Sequence, residues 1–169
     1  TAGDWNLNRI PASSDNVSII DADSTNRTVT LDVSSSILAL QVGNTGGGTN
    51  TLSETAAVTL TAGGNLTLGP SAASKGTFTL NGASSIFADN ANVYVGGSST
   101  AAGGKGILNI KNGTATIAGS LNIWNTSGTA VNLSGGSLTA ASINVNGNPA
   151  DFNWTGGTFT LTGSTGFPF

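Results

Sequence analysis

Hydrophobic and small polar residues alternate along most of this chain, and the alternation keeps stopping and restarting in one form. That form is a short apolar–polar–apolar strand closed by Gly, Asn or, once, Trp. It occurs as Leu40-Gln41-Val42-Gly43, Leu66-Thr67-Leu68-Gly69, Val93-Tyr94-Val95-Gly96, Leu121-Asn122-Ile123-Trp124 and Ile143-Asn144-Val145-Asn146. The first residues of these copies step by 26, 27, 28 and 22 positions. Alternation with period two marks a strand with one buried face. Its return at a near-constant interval marks a solenoid, in which each repeat is one coil that cannot bury its apolar face alone. The expected fold is therefore all-β: a parallel β-helix of roughly six coils. A β-sandwich subunit with an exchanged donor strand is the alternative.

Each repeat divides further. First-strand candidates are Val29-Thr30-Leu31, Thr51-Leu52-Ser53, Thr77-Phe78-Thr79-Leu80, Ile107-Leu108-Asn109-Ile110, Ala130-Val131-Asn132-Leu133 and Phe152-Asn153-Trp154. Asn81-Gly82, Asn112-Gly113 and Gly135-Gly136 follow three of them and suit tight corners. Second-strand candidates are Val58-Thr59-Leu60, Ile86-Phe87, Thr114-Ala115-Thr116-Ile117, Ser137-Leu138-Thr139 and Thr158-Phe159-Thr160-Leu161. The longer excursions Asn44–Asn50, Pro70–Gly76 and Gly97–Lys105 all follow a recurrent strand, so they should protrude from one corner. Residues 1–27 read as an atypical N-terminal coil or cap and residues 28–169 as solenoid coils, within one domain. At about 4.8 Å per coil, six coils make a rod roughly 25–30 Å long.

Asn65, Asn92, Ser120 and Ser142 each precede a recurrent strand. Stacked at one corner they would form a polar ladder, hydrogen-bonding coil to coil.

Composition narrows the chemistry. Charged residues make up 8% of the 169, and the net charge is −3. No basic footprint for nucleic acid exists, and no apolar run is long enough to span a membrane. His and Cys are both absent, which removes Ser-His-Asp and Cys-His catalysis and the usual zinc sites. After Glu54 the only acids are Asp89 and Asp151, too few to line the paired-carboxylate cleft of a glycosidase. We expect no enzyme activity and no cofactor. Asp21-Ala22-Asp23-Ser24-Thr25-Asn26 offers oxygens that calcium could use, but the glycine and terminal glutamate of a full loop are missing and Arg27 adjoins it. A solvated turn fits better.

Thr-x-Thr pairs at 28/30, 59/61, 77/79, 114/116 and 158/160 raise the possibility of an ice-binding face. Counting back from the recurrent strand places Thr61 and Thr116 in one column with Ala88 and Leu138, which breaks the array. Thr is then simply a good strand residue.

Aromatics gather at the two ends of the chain, with Trp5 at one and Trp154, Phe159, Phe167 and Phe169 at the other. A solenoid needs a polar cap over its last coil, otherwise its edge and core stay open. These five residues are therefore subunit-contact candidates, and an aromatic cap over the chain's own core is the competing expectation. Trp124 takes the place of Gly43, Gly69 and Gly96 and is an exposed-anchor candidate for a lateral or glycan contact, with packing under a neighbouring loop equally open.

The opener Trp5…Pro11…Asp15-Asn16-Val17-Ser18-Ile19 leads into Thr28-Val29-Thr30-Leu31 and Leu40-Gln41-Val42-Gly43. Gly106-Ile107-Leu108-Asn109-Ile110 with Asn112-Gly113-Thr114 continues the same style. Together they resemble the Gly/Asn/Thr-rich bacterial surface β-solenoids, the autotransporter passenger-like and planctomycete–verrucomicrobial extracellular repeat proteins. The resemblance implies a secreted or cell-surface structural role and carries over no functional residue. The expected function is an extracellular structural protein forming a head-to-tail homopolymer or surface filament. A surface adhesin, a glycan-binding solenoid module, is the alternative.

Overall fold

The computed structural model describes residue 6 and residues 8–163. Trp5, Phe167 and Phe169 lie outside the described residues. Among the described residues sixteen strands follow one another with short corners. They are β1 (Asn16–Asp21), then β2 (Arg27–Leu31), β3 (Ser35–Ile37) and β4 (Ala39–Asn44), then β5 (Asn50–Glu54), β6 (Thr59–Ala62) and β7 (Leu66–Leu68). The chain continues through β8 (Lys75–Leu80), β9 (Ile86–Asp89) and β10 (Val93–Val95), and through β11 (Lys105–Ile110) and β12 (Thr114–Ile123). It ends with β13 (Ala130–Leu133), β14 (Ser137–Asn144), β15 (Phe152–Trp154) and β16 (Thr158–Leu161).

Every strand pair is parallel and joins equivalent strands of adjacent coils. That arrangement is a parallel β-solenoid of about six turns. It rules out the β-sandwich alternative, whose sheets are antiparallel. The walls form three faces. The first is the six-stranded sheet β2-β5-β8-β11-β13-β15 in stacking order. The second holds β3, β6, β9, the amino half of β12, the amino half of β14, and β16. The third holds β1, β4, β7, β10 and the carboxyl halves of β12 and β14. Because β12 and β14 turn the corner without leaving the sheet, the second and third faces count as one ten-stranded sheet.

Period-two alternation sends one side chain of each pair into a common interior. On the third face Val17, Leu40, Leu66, Val93, Leu121 and Ile143 stand in one row, all buried. On the first face Leu52, Phe78, Leu108, Val131 and Phe152 do the same. Phe78 also meets Phe87 from the second face, edge to face, with centroids 4.9 Å apart. Such a contact adds to the burial of both rings and ties two walls together. The stack begins at β1, earlier than the rhythm at Thr28 places it. Val17 and Ile19 pair with Leu40 and Val42, so the opening segment supplies a further copy of the recurrent strand.

Gly is needed where one coil crosses closely over another. A Cβ on Gly106 would collide with the Gly96 amide nitrogen and the Leu68 carbonyl oxygen. Gly76 lies in the same column and would meet the Val42 carbonyl.

Candidate functional site

The corner between the second and third faces carries the expected polar residues, and they are hydrogen-bonded from coil to coil. The Asn92 amide donates to Asn65 Oδ1 at 3.2 Å, and the Ser120 amide donates to Asn92 Oδ1 at 2.8 Å. Ser120 and Ser142 then share a hydrogen bond of 2.6 Å between their hydroxyls. Asn65, Asn92, Ser120 and Ser142 thus form a continuous run along four coils. Asp89 reinforces this corner, accepting from the amides of Leu66 and Ala91 at 3.1 and 2.9 Å.

A second ladder runs outside the first face and was not singled out from the sequence. Asn109 donates to Thr79 Oγ1, Asn132 to Asn109 Oδ1, and Asn153 to Asn132 Oδ1, at 3.2, 2.8 and 3.0 Å. Its signal was the recurrence of Asn two residues after the start of β13 and at the middle of β15, readable only once the coils are in register.

Two carboxyls are buried. Glu54 is fully enclosed, in the inward column between Leu31 and Leu80, and neither oxygen has a hydrogen-bond partner. Burial pushes its pKa up to about 8, so the group is neutral through most of the physiological range. Burial also raises Asp89 to about 7, against the opposing pull of its two amide donors. Glu54 stands on the first face and Asp89 at the end of β9 on the second.

The charged residues of the first coil form ion pairs. Arg9 meets Asp15, and Arg27 meets Asp21 and Asp23, all on the surface. Hydrogen bonding from Arg9 holds Asp15 down to about 2, and Arg27 lowers Asp23 in the same way. The Asp21–Asn26 segment is therefore an ion-paired turn. Among the described residues no group of three or more acidic side chains is placed to hold a metal.

Trp124 is half-buried. Its Nε1 donates to the Ser98 carbonyl at 2.9 Å, and its ring lies against Gly97. It packs under the hairpin closed by the Gly97–Ala102 bridge, so it is not an exposed anchor. The reason is local: the longest corner excursion, between β10 and β11, folds back over the next coil and needs a support.

The two ends of the stack differ. At the first coil the interior opens into a cavity of about 240 Å³ lined by Ile10, Val17, Val29, Leu31, Val33 and Ile37 among others. Ile10 and Val33 are more than half exposed at its rim. At the last coil Phe159 is a core residue, packed on Phe152 at 4.9 Å and edge-on to Trp154 at 6.1 Å. Trp154 continues the inward column after Leu133 but is 51% exposed, with its Nε1 donating to the Gly157 carbonyl. Of the two described candidates at this end, Trp154 presents surface and Phe159 does not.

These features define a parallel β-solenoid with an apolar mouth at one end, an aromatic end at the other, and hydrogen-bonded ladders along one corner and outside one face. No protein-family model, curated protein or solved structure matches the chain. No helix among the described residues is long and apolar enough to cross a membrane.

Proposed function

We propose that this chain is a non-enzymatic extracellular structural protein whose solenoid stacks head to tail with further copies into a filament. The observation that carries this reading is the apolar mouth at the first coil, with Ile10 and Val33 exposed around it, facing the same way as the open edges of β1, β2 and β3. The opposite end offers Trp154 and the terminal strands β15 and β16 of the two sheets. Strand addition of one copy's last coil to the next copy's first coil would continue all three faces in the parallel sense. That contact is heterologous and does not close, so it propagates. Around this end Arg9 pairs with Asp15, and Arg27 with Asp21 and Asp23, which leaves Asp32 as the acidic side chain lining the mouth outside these pairs.

The glycan-binding alternative loses its main anchor, since the Trp124 ring and indole nitrogen are engaged by the hairpin. Secretion to the cell surface agrees with the low charge and with the resemblance to surface solenoids.

The test is negative-stain imaging with size-exclusion chromatography of the purified chain and of Val33→Lys and Trp154→Lys. Filaments or oligomers of the parent chain that give way to folded monomers in both variants are expected. A monodisperse parent chain at high concentration, or filaments that persist in both variants, would refute the assembly.

A further inference from the structure

The register of the second face differs from the one counted along the sequence, and the difference restores an array. Counting back from the recurrent strand puts Leu138 beside Thr116. The corner of the fifth coil is one residue shorter than that of the fourth, with the shift falling between Ile117 and Ser120. Thr139 therefore pairs with Thr116, and Leu138 points into the core. One outward column becomes Ser36, Thr61, Ala88, Thr116, Thr139 and Thr160. The column beside it is Thr59, Ile86, Thr114, Ser137 and Thr158.

We infer that this second face binds the surface of crystalline ice. Paired hydroxyl residues occupy it at every coil from the second to the last except the third, where Ile86 and Ala88 stand. The strand sets the spacing within a pair at about 6.6 Å and the sheet sets the spacing between coils at about 4.8 Å. That makes a regular two-dimensional net of hydroxyls, repeating along the strands and from coil to coil, which presents hydrogen-bonding groups at the periodic spacing an ordered water lattice requires. Thr suits such a net, because branching at Cβ restricts χ1 and holds methyl and hydroxyl in place.

A second observation points the same way. Outside the first face Thr79, Asn109, Asn132 and Asn153 are tied to one another in a ladder. On the second face the hydroxyls of Thr61, Thr116, Thr139 and Thr160 have no protein partner among the described residues, so their hydrogen-bonding capacity is directed outward. Only Ser137 and Thr114 share a bond, at 3.4 Å. Other partners lack what they need there. The outward positions of this face hold no charge for an anion or nucleic acid, and no aromatic or Arg of the kind that anchors protein interfaces. Aromatic platforms for sugars are absent from it as well.

The inference is independent of end-to-end assembly, because the face lies along the side of the rod. The test uses the full chain in an ice-affinity experiment, in which protein is partitioned between a slowly growing ice hemisphere and the liquid, together with microscopy of single crystals. The parent chain should be enriched in the ice and shape the crystals. Thr139→Tyr and Thr116→Tyr should abolish both effects, whereas Thr67→Tyr, on the outward side of the third face, should leave them unchanged. Completing the net with Ile86→Thr and Ala88→Thr together should increase the enrichment at least twofold. Circular dichroism on each variant establishes that the coils are intact. A parent chain that is excluded from ice like an ordinary solute overturns the inference, as does an equal loss in Thr67→Tyr and Thr139→Tyr.

Discussion

Asn132 sits one coil beyond Asn109, and its Nδ2 donates to the Asn109 Oδ1 at 2.8 Å. Asn109 in turn donates to Thr79, so it takes part in two bonds while Asn153, at the last coil, only donates in the ladder. Bonds of this kind contribute about 1 kcal/mol each on a partly exposed wall. Asn109→Ala should therefore cost about 1–2 kcal/mol, and Asn153→Ala less than about 1 kcal/mol. Urea unfolding followed by circular dichroism would show the order; equal losses at the two positions would mean that the ladder does not stabilise the wall.

Glu54 makes stability depend on pH in an unusual direction. Its folded pKa, about 8, lies above the ordinary 4.5, so the unfolded chain ionises while the fold keeps the group neutral. The stabilisation is whole below about pH 4.5 and is lost as pH rises through about 8. Asp89 adds the same trend between 3.8 and about 7. Asp15 works oppositely, supporting the fold above 3.8 and ceasing to do so as pH falls to about 2. Thermal melts should thus peak near pH 4. Glu54→Leu, which matches its column neighbours Leu31 and Leu80, should raise the melting temperature more at pH 8 than at pH 5, by an increment worth about 1–3 kcal/mol.

Gly106 and Gly63 separate close crossing from mere occupancy of a turn. Gly106 is buried against the Gly96 and Leu68 backbone, whereas a Cβ at Gly63 would meet nothing nearer than 3.7 Å. Gly106→Ala should cost about 3 kcal/mol or more through displaced backbone, and Gly63→Ala should be neutral or mildly stabilising. Equal melting temperatures for the two variants would contradict the close approach.

Trp124 supports the hairpin between β10 and β11. Trp124→Phe keeps most of the ring contact and removes the hydrogen bond to the Ser98 carbonyl, a change of about 1 kcal/mol. Residues 97–104 should become the first site of limited proteolysis, with global stability lowered by no more than that amount. Unchanged cleavage kinetics would show that the hairpin holds itself.

Much of the architecture was written into periodicity. Leu40, Leu66, Val93, Leu121 and Ile143 could be recognised as one row from spacing alone, because a coil that buries its apolar side must repeat it. The corner ladder of Asn65, Asn92, Ser120 and Ser142 was legible for the same reason, each residue standing just before a recurrent strand. The Asn109–Asn132–Asn153 ladder was not, since its members lie inside strands where Asn carries no pattern of its own.

Local sequence could not decide register at corners, the burial of single groups, or which aromatic is covered. A corner shorter by one residue between Ala140 and Ser142 moved Thr139 into the place that counting assigned to Leu138. Alternation from Leu52 puts Glu54 on the inward side, but only stacking shows that it is enclosed between Leu31 and Leu80 with no partner. Trp124 and Trp154 look alike as exposed aromatics, yet one is held beneath a hairpin and the other stands at the end of its column. Alternation along a strand dictates that there are two sides; which groups meet across coils depends on how adjacent turns are aligned, and only the tertiary structure sets that alignment.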